Sequence, residues 1–165
     1  MKLICADPGK ISGLALIDFS TGTPNIIEAV ELSQQDACIW IRDKIESEGT
    51  SKVVCEDFII SNRTAKMKTS DTRYSLEIIG MIRYFCLLNK TPLILQTPVH
   101  MKKFFSGWSL KDFGLWVKGG AGHKRDALRH GVVYLLSTNR WDPQDVSASK
   151  GDYSILKEQI ENGRY

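Results

Sequence analysis

The sequence is poor in the features that mark membrane, metal-stapled and repetitive proteins. No apolar stretch approaches the roughly 20 residues that a spanning helix needs. The opening residues read as a core strand rather than a signal peptide, so the expected location is the cytoplasm. Only four cysteines occur, Cys5, Cys38, Cys55 and Cys86. Each sits in an apolar segment and none forms a CxxC pair, which argues against zinc and for buried, reduced thiols. Internal repeats, linkers and low-complexity stretches are missing too, so the 165 residues read as one domain, 1–165, large enough to bury a real core. What remains is ordinary for a folded domain: 42% hydrophobic residues and 25% charged ones.

Net charge is also small, +3, but it is unevenly spread. Residues 61–73 carry Arg63, Lys66, Lys68 and Arg73 against Asp71. Residues 100–130 carry Lys102, Lys103, Lys111, Lys118, Lys124, Arg125 and Arg129 against Asp112 and Asp126. The acidic excess lies in residues 28–57 and near the C-terminus. A basic surface bracketing carboxylates suits a polyanion, although chance clustering on a solvated surface gives the same count.

The chain is organised around its first ten residues. Leu3-Ile-Cys-Ala6 is an apolar run that reads as a buried central strand, with Asp7 at its end and Pro8-Gly9 as the turn. Gly13 to Phe19 returns as a hairpin partner, and Asn25–Leu32 makes a third antiparallel strand. Ser33 is a plausible N-cap for a helix running to about Glu48, where Gly49 ends it. Residues 52–60 read as a strand after a helix, hence parallel to the first. Side chains alternate along a strand, so Glu56 shares a face with Val54 as Asp7 does with Cys5. If the two strands are neighbours, Asp7 and Glu56 meet at one end of the sheet.

Residues 61–71 are polar and basic. A helix is expected over 72–88 with Leu76, Ile79, Ile82 and Phe85 on one stripe. Gly80 in its interior costs about 1 kcal/mol against alanine, which close packing on another backbone would explain. Pro92–Gln96 reads as a fifth strand, and Pro98 starts a short helix over 99–105. Residues 106–122 are irregular and contain five glycines. A last core helix is expected from His123 to Leu136, giving a core of about 1–137 and a peripheral tail, 138–165.

His123 and Asp126, three apart, share a face of that helix. With Asp7 and Glu56 they form a set of oxygen and imidazole donors suited to a hard divalent ion. Carboxylates gathered without a cation repel one another. A pair of ions about 4 Å apart activates water and stabilises a leaving oxygen in phosphodiester hydrolysis. His123 fits either as a metal ligand or as the group that orients the attacking water. The blander readings stay open: Asp126 also suits a helix N-terminus, and His130 reads as structural or surface. Glu56 is hardest to dismiss, because a carboxylate ending an apolar run needs a partner.

This order of elements, with acids at Asp7, Glu56 and a closing helix, resembles the ribonuclease H-like α/β fold: a three-stranded antiparallel meander plus two parallel strands, flanked by helices. More narrowly it resembles the RuvC family of Holliday junction resolvases. Asp7-Pro-Gly9 with Gly13 is similar to the family's opening motif. Glu56 with Phe58 resembles its second acidic motif, Leu76–Gly80 its dimer-helix region, and His123-Lys-Arg-Asp-Ala127 its closing motif. The likeness covers about residues 1–137.

The resemblance implies a homodimeric, Mg²⁺-dependent endonuclease that nicks a four-way DNA junction symmetrically, with two ions per site and Mn²⁺ as a substitute. It implies Asp7, Glu56, His123 and Asp126 at the metal site and a dimer through the 72–88 helix. It sets Phe58 against bases, with a core role as the even alternative. Arg63, Lys66, Lys68, Lys124 and Arg125 would meet phosphates with salt-dependent, sequence-independent affinity. Small resolvase-like proteins of this kind suit a prokaryotic cell or a phage-infected host, and a bacteriophage source is the guess. The 106–122 stretch and the tail match no family pattern, which leaves forks and flaps open as substrates. Rivals are a YqgF-like RNA nuclease of the same fold and a non-catalytic junction binder. Sugar-kinase and actin-like ATPases share an opening Asp-x-Gly hairpin but need a second domain with its own phosphate loop.

Overall fold

In the computed structural model the residues described are 1–58, 70–106 and 108–141. Three strands come first: β1 (Lys2–Asp7), β2 (Ile11–Asp18) and β3 (Asn25–Ser33). Helix α1 (Gln34–Ser47) follows, then β4 (Lys52–Glu56) and the long helix α2 (Ser70–Leu88). Next come β5 (Leu93–Gln96), the short α3 (Pro98–Phe104) and α4 (His123–Ser137). The five strands form one mixed sheet in the order β3-β2-β1-β4-β5, so β1 is central. β1 and β2 pair antiparallel, as do β2 and β3, whereas β4 lies parallel to β1 and β5 parallel to β4. No helix among the described residues is long and apolar enough to cross a membrane.

The period-2 alternation of strand side chains divides the interior into two layers. Leu3, Cys5, Ala15, Ile17 and Val54 pack with Ala127, Leu128, Val132 and Leu135 of α4. Ile4, Ala6, Leu14, Leu16, Val53 and Cys55 pack on the other face with Ala37 and Ile41 of α1 and Ile78, Ile79 and Ile82 of α2. Ser33 caps α1 as expected, its hydroxyl oxygen accepting from the Asp36 amide at 3.4 Å. Glycine lets α4 sit close on the sheet. A Cβ at Gly131 would stand 2.5 Å from Cys5 Sγ, and one at Gly13 would stand 2.0 Å from the backbone carbonyl of His123.

Four expectations about local structure and packing change. β4 ends at Glu56 rather than continuing to residue 60. The buried stripe of α2 is Ser75, Ile78, Ile79, Ile82 and Cys86, while Leu76 is 40% exposed. Apolar residues occur around most of this helix, so periodicity alone does not fix which stripe turns inward. Gly80 is exposed, and no described atom lies within 4 Å of where its Cβ would be, so close packing within the chain is not its reason. The core also runs past α4 to Trp141, which is buried against Phe113 at a ring distance of 5.6 Å.

Candidate active site

Asp7 is the last residue of β1 and Glu56 the last of β4. In the parallel register Cys5 stands beside Val54 and Ala6 beside Cys55, which brings the two acids side by side at one sheet end. The turn after Asp7 is fastened from α2, where Ser75 donates to the Pro8 carbonyl at 2.8 Å. Ser12 closes the same turn by donating to the Gly9 carbonyl at 3.2 Å.

The third wall is the first turn of α4. Its free backbone amides find an acceptor in Glu31 of β3: Oε2 accepts from Ala121 at 2.7 Å, and Oε1 accepts from Gly122 at 2.8 Å and Lys124 at 3.3 Å. A carboxylate there satisfies amides that have no intrahelical partner and complements the helix dipole. Burial alone would raise the Glu31 carboxyl, but these amides hold it below its usual range. Glu31 is the β-ladder partner of Gly13, so the cap and the glycine that admits the His123 backbone are neighbours.

Asp7, Glu56, His123 and Asp126 thereby line one cleft of about 440 Å³, together with Met101, Lys102, Phe105 and Arg129. His123 Nδ1 lies 3.1 Å from Asp7 Oδ2. Arg129 donates to Asp126 Oδ1 and lies over the Phe105 ring. Glu56 Oε2 is 2.9 Å from Nε2 of the buried His130, whose Nδ1 is 2.9 Å from Gln96 Oε1. The Asp7 carboxyl is raised to about 6, first by burial and then by the charge of Glu56, with Asp126 adding and the His123 hydrogen bond opposing. Among the described residues, no three histidine, cysteine, aspartate or glutamate side chains stand close enough to enclose one ion in this arrangement. Each acid is engaged by a basic or imidazole partner instead.

The candidate DNA contacts stand elsewhere. Phe58 is half-buried and packs against the apolar layer under α1 and α2, and it does not line the cleft. Arg125 donates to the Gly119 carbonyl at 2.9 Å and lies over Trp116, which ties its guanidinium to the preceding loop. Lys124 is half-buried at the start of α4. Arg63, Lys66 and Lys68 fall outside the described residues. Sequence reasoning did not place Glu31 or Gln96 at the site, counted Lys102 and Arg129 only as basic surface, and read His130 as structural or surface. His130 had a signal, standing four residues after Asp126 and seven after His123 on one helical stripe. Glu31 had none, because its role depends on the strand register.

No family model matches the sequence, and no curated relative does. Solved structures do match in fold. Thermus thermophilus RuvC superposes with a TM-score of 0.66 at 13% identity, covering 84% of this chain and 96% of that one. The T. thermophilus RuvC structure in complex with a Holliday junction substrate gives 0.65 at 12% identity, covering 84% and 95%. The yeast mitochondrial Holliday junction resolvase Ydc2 gives 0.57 at 11% identity, covering 98% and 83%. The chain therefore has the ribonuclease H-like fold in its RuvC-like form.

Proposed function

We propose that this chain is a divalent-metal-dependent endonuclease that resolves four-way DNA junctions by paired symmetric nicks. The observation that carries the reading is the convergence of Asp7, Glu56 and Asp126 with His123 on one cleft, where Asp7 is raised to about 6 by burial and acidic neighbours. Acids crowded in this way call for a cation. The likeness in fold to proteins described as Holliday junction resolvases gives the substrate class by analogy.

The donor chemistry fits Mg²⁺, with Mn²⁺ as a substitute, because both take carboxylate oxygens. Asp7, Glu56 and Asp126 would hold the ions, Asp7 and Glu56 through the carboxylate oxygen that His123 and His130 leave free and Asp126 by exchanging Arg129 for one. Two bound ions would supply an acidified water and neutralise the leaving oxygen. The protein's own share is orientation. Asp7 engages Nδ1 of His123, which leaves Nε2 for an ion or the attacking water. Lys102 and Arg129, on the same cleft, suit the phosphate being cut. Lys124 with Arg63, Lys66 and Lys68 would track the DNA backbone, while Arg125 braces the 108–122 loop.

Paired nicks need two sites, and α2 offers a face for a second copy. Leu76, Tyr84, Leu87 and Leu88 are 40%, 54%, 77% and 60% exposed, with Gly80 on the same side. A homodimer through this helix would cover them.

The test is cleavage of a synthetic immobile four-way junction with Mg²⁺, beside linear duplex, fork, flap and RNA–DNA hybrid. Wild type and Asp7→Asn are compared. Paired nicks on the junction that vanish in Asp7→Asn while binding survives would support the reading. Equal cutting of forks and flaps would broaden it to a debranching nuclease, and cutting of RNA alone would replace it with a YqgF-like activity. Binding without cleavage in Mg²⁺ or Mn²⁺ would sink it.

A further inference from the structure

Glu56 is held from behind. His130 is fully buried on the sheet-facing side of α4. Its ring bridges two strands, with Nε2 at 2.9 Å from Glu56 Oε2 and Nδ1 at 2.9 Å from Gln96 Oε1. Glu56 and Gln96 are register partners at the ends of β4 and β5. Three elements thus meet in one polar chain inside an apolar layer.

A neutral imidazole satisfies this chain when Nε2–H donates to the carboxylate and the Gln96 amide end turns its NH₂ to Nδ1. A buried ring nitrogen left without a partner is costly, so the contact at each end holds the ring against rotation. The ring then fixes one oxygen of Glu56, while the same carboxylate still lines the cleft. Neither His130 nor Gln96 lines that cleft, so neither meets the substrate directly.

We infer that His130, oriented by Gln96, is a positioning residue that sets the direction of the Glu56 carboxylate. The inference rests on the nuclease reading above and assigns a role to two residues that reading does not use. Groups that hydrogen-bond a metal-ligating side chain from behind typically change metal affinity 10- to 100-fold when removed.

The experiment measures Mn²⁺ binding by the full chain without DNA, using electron paramagnetic resonance, beside the urea midpoint in chelator. His130→Gln places an amide donor near the position of Nε2 and keeps the bond to Glu56. His130→Asn places one near Nδ1 and falls short of Glu56. The expected result is weaker Mn²⁺ binding by 10- to 100-fold in His130→Asn and near wild-type binding in His130→Gln. Mn²⁺ binding that is unchanged in His130→Asn, or that falls in both variants in step with their urea midpoints, would overturn the positioning role. If His130→Asn does not fold, Gln96→Leu decides. Several-fold weaker binding at an unchanged midpoint supports the role, and unchanged binding overturns it. Glu56→Gln separates the two levels: if it binds Mn²⁺ as wild type does, the metal-site reading fails and the inference fails with it.

Discussion

Replacing Gly13 by alanine tests how tightly the first turn of α4 is set on the sheet. The added Cβ would stand 2.0 Å from both C and O of His123 and 2.6 Å from the Lys124 amide nitrogen. These are backbone atoms, so no side chain can swing away, and reaching ordinary contact means the helix start retreats by more than 1 Å. Overpacking of this kind costs about 1–3 kcal/mol. For a chain of this size that is a fall in Tm of roughly 2–12 °C. The retreat also carries His123 away from Asp7, now 3.1 Å distant. A displacement of about 1 Å at a reacting centre is enough for a 100-fold loss of rate. The assay pairs calorimetry with junction cleavage, and Gly80→Ala is the control for the calorimetry alone, because Gly80 lies on the proposed dimer face. With no described atom within 4 Å of the new methyl, that change should be neutral or stabilise the helix by up to about 1 kcal/mol. A Gly13→Ala protein with wild-type Tm and wild-type cleavage would refute the close seating of α4.

Asp7→Asn should stabilise the chain in chelator at neutral pH while abolishing cleavage. Because the Asp7 carboxyl is raised to about 6 when folded, ionising it weakens the fold as pH rises from about 4 to 6 and leaves it weaker above. The variant should therefore gain about 2–3 kcal/mol over wild type at pH 7.5 and nothing at pH 3.5, read from paired urea curves; a loss at pH 7.5 would contradict the crowding of acids. Glu31→Gln keeps one acceptor for the Ala121, Gly122 and Lys124 amides but drops the charge, and should lower the unfolding free energy read from urea curves by about 0.5–1 kcal/mol. Cleavage should fall with it, and an unchanged rate would show that the cap does not position His123. Leu87→Glu with Leu88→Glu should convert a dimer to monomer in sedimentation and leave the monomer's Tm within about 1 °C per substitution, since both side chains are exposed.

The sheet was legible because β1 and β4 are short, apolar and punctuated by turn residues, and the side-chain parity of Asp7 and Glu56 follows from strand alternation. That His123 and Asp126 line the same cleft followed from helical spacing. Legibility ended where long-range geometry decides. Glu31 sits in a strand of mixed polarity, and only its register opposite Gly13 brings it to the start of α4. His130 shares the helical stripe of His123 and Asp126, but that spacing does not reveal that it is locked between Glu56 and Gln96. On α2 several stripes are apolar, so the inward one was set by packing on Ile4 and Leu16 rather than by local sequence. Arg125 looked available by charge alone, and its engagement with the Gly119 carbonyl depends on how a glycine-rich loop turns.

The seating of α4 has a consequence for when the candidate site is assembled. The acids at residues 7 and 56 come early in the chain, but His123 and Asp126 arrive on a helix whose start is held by Glu31 and admitted by Gly13. That helix also covers the face of the sheet formed by Leu3, Cys5, Ala15 and Ile17. Docking it therefore closes the apolar layer and assembles the cleft in one event. A ribosome-bound fragment that has not yet emerged past residue 123 holds two of the acids and no finished site. On the proposed nuclease reading, a growing chain would have no assembled site until its sheet is sealed.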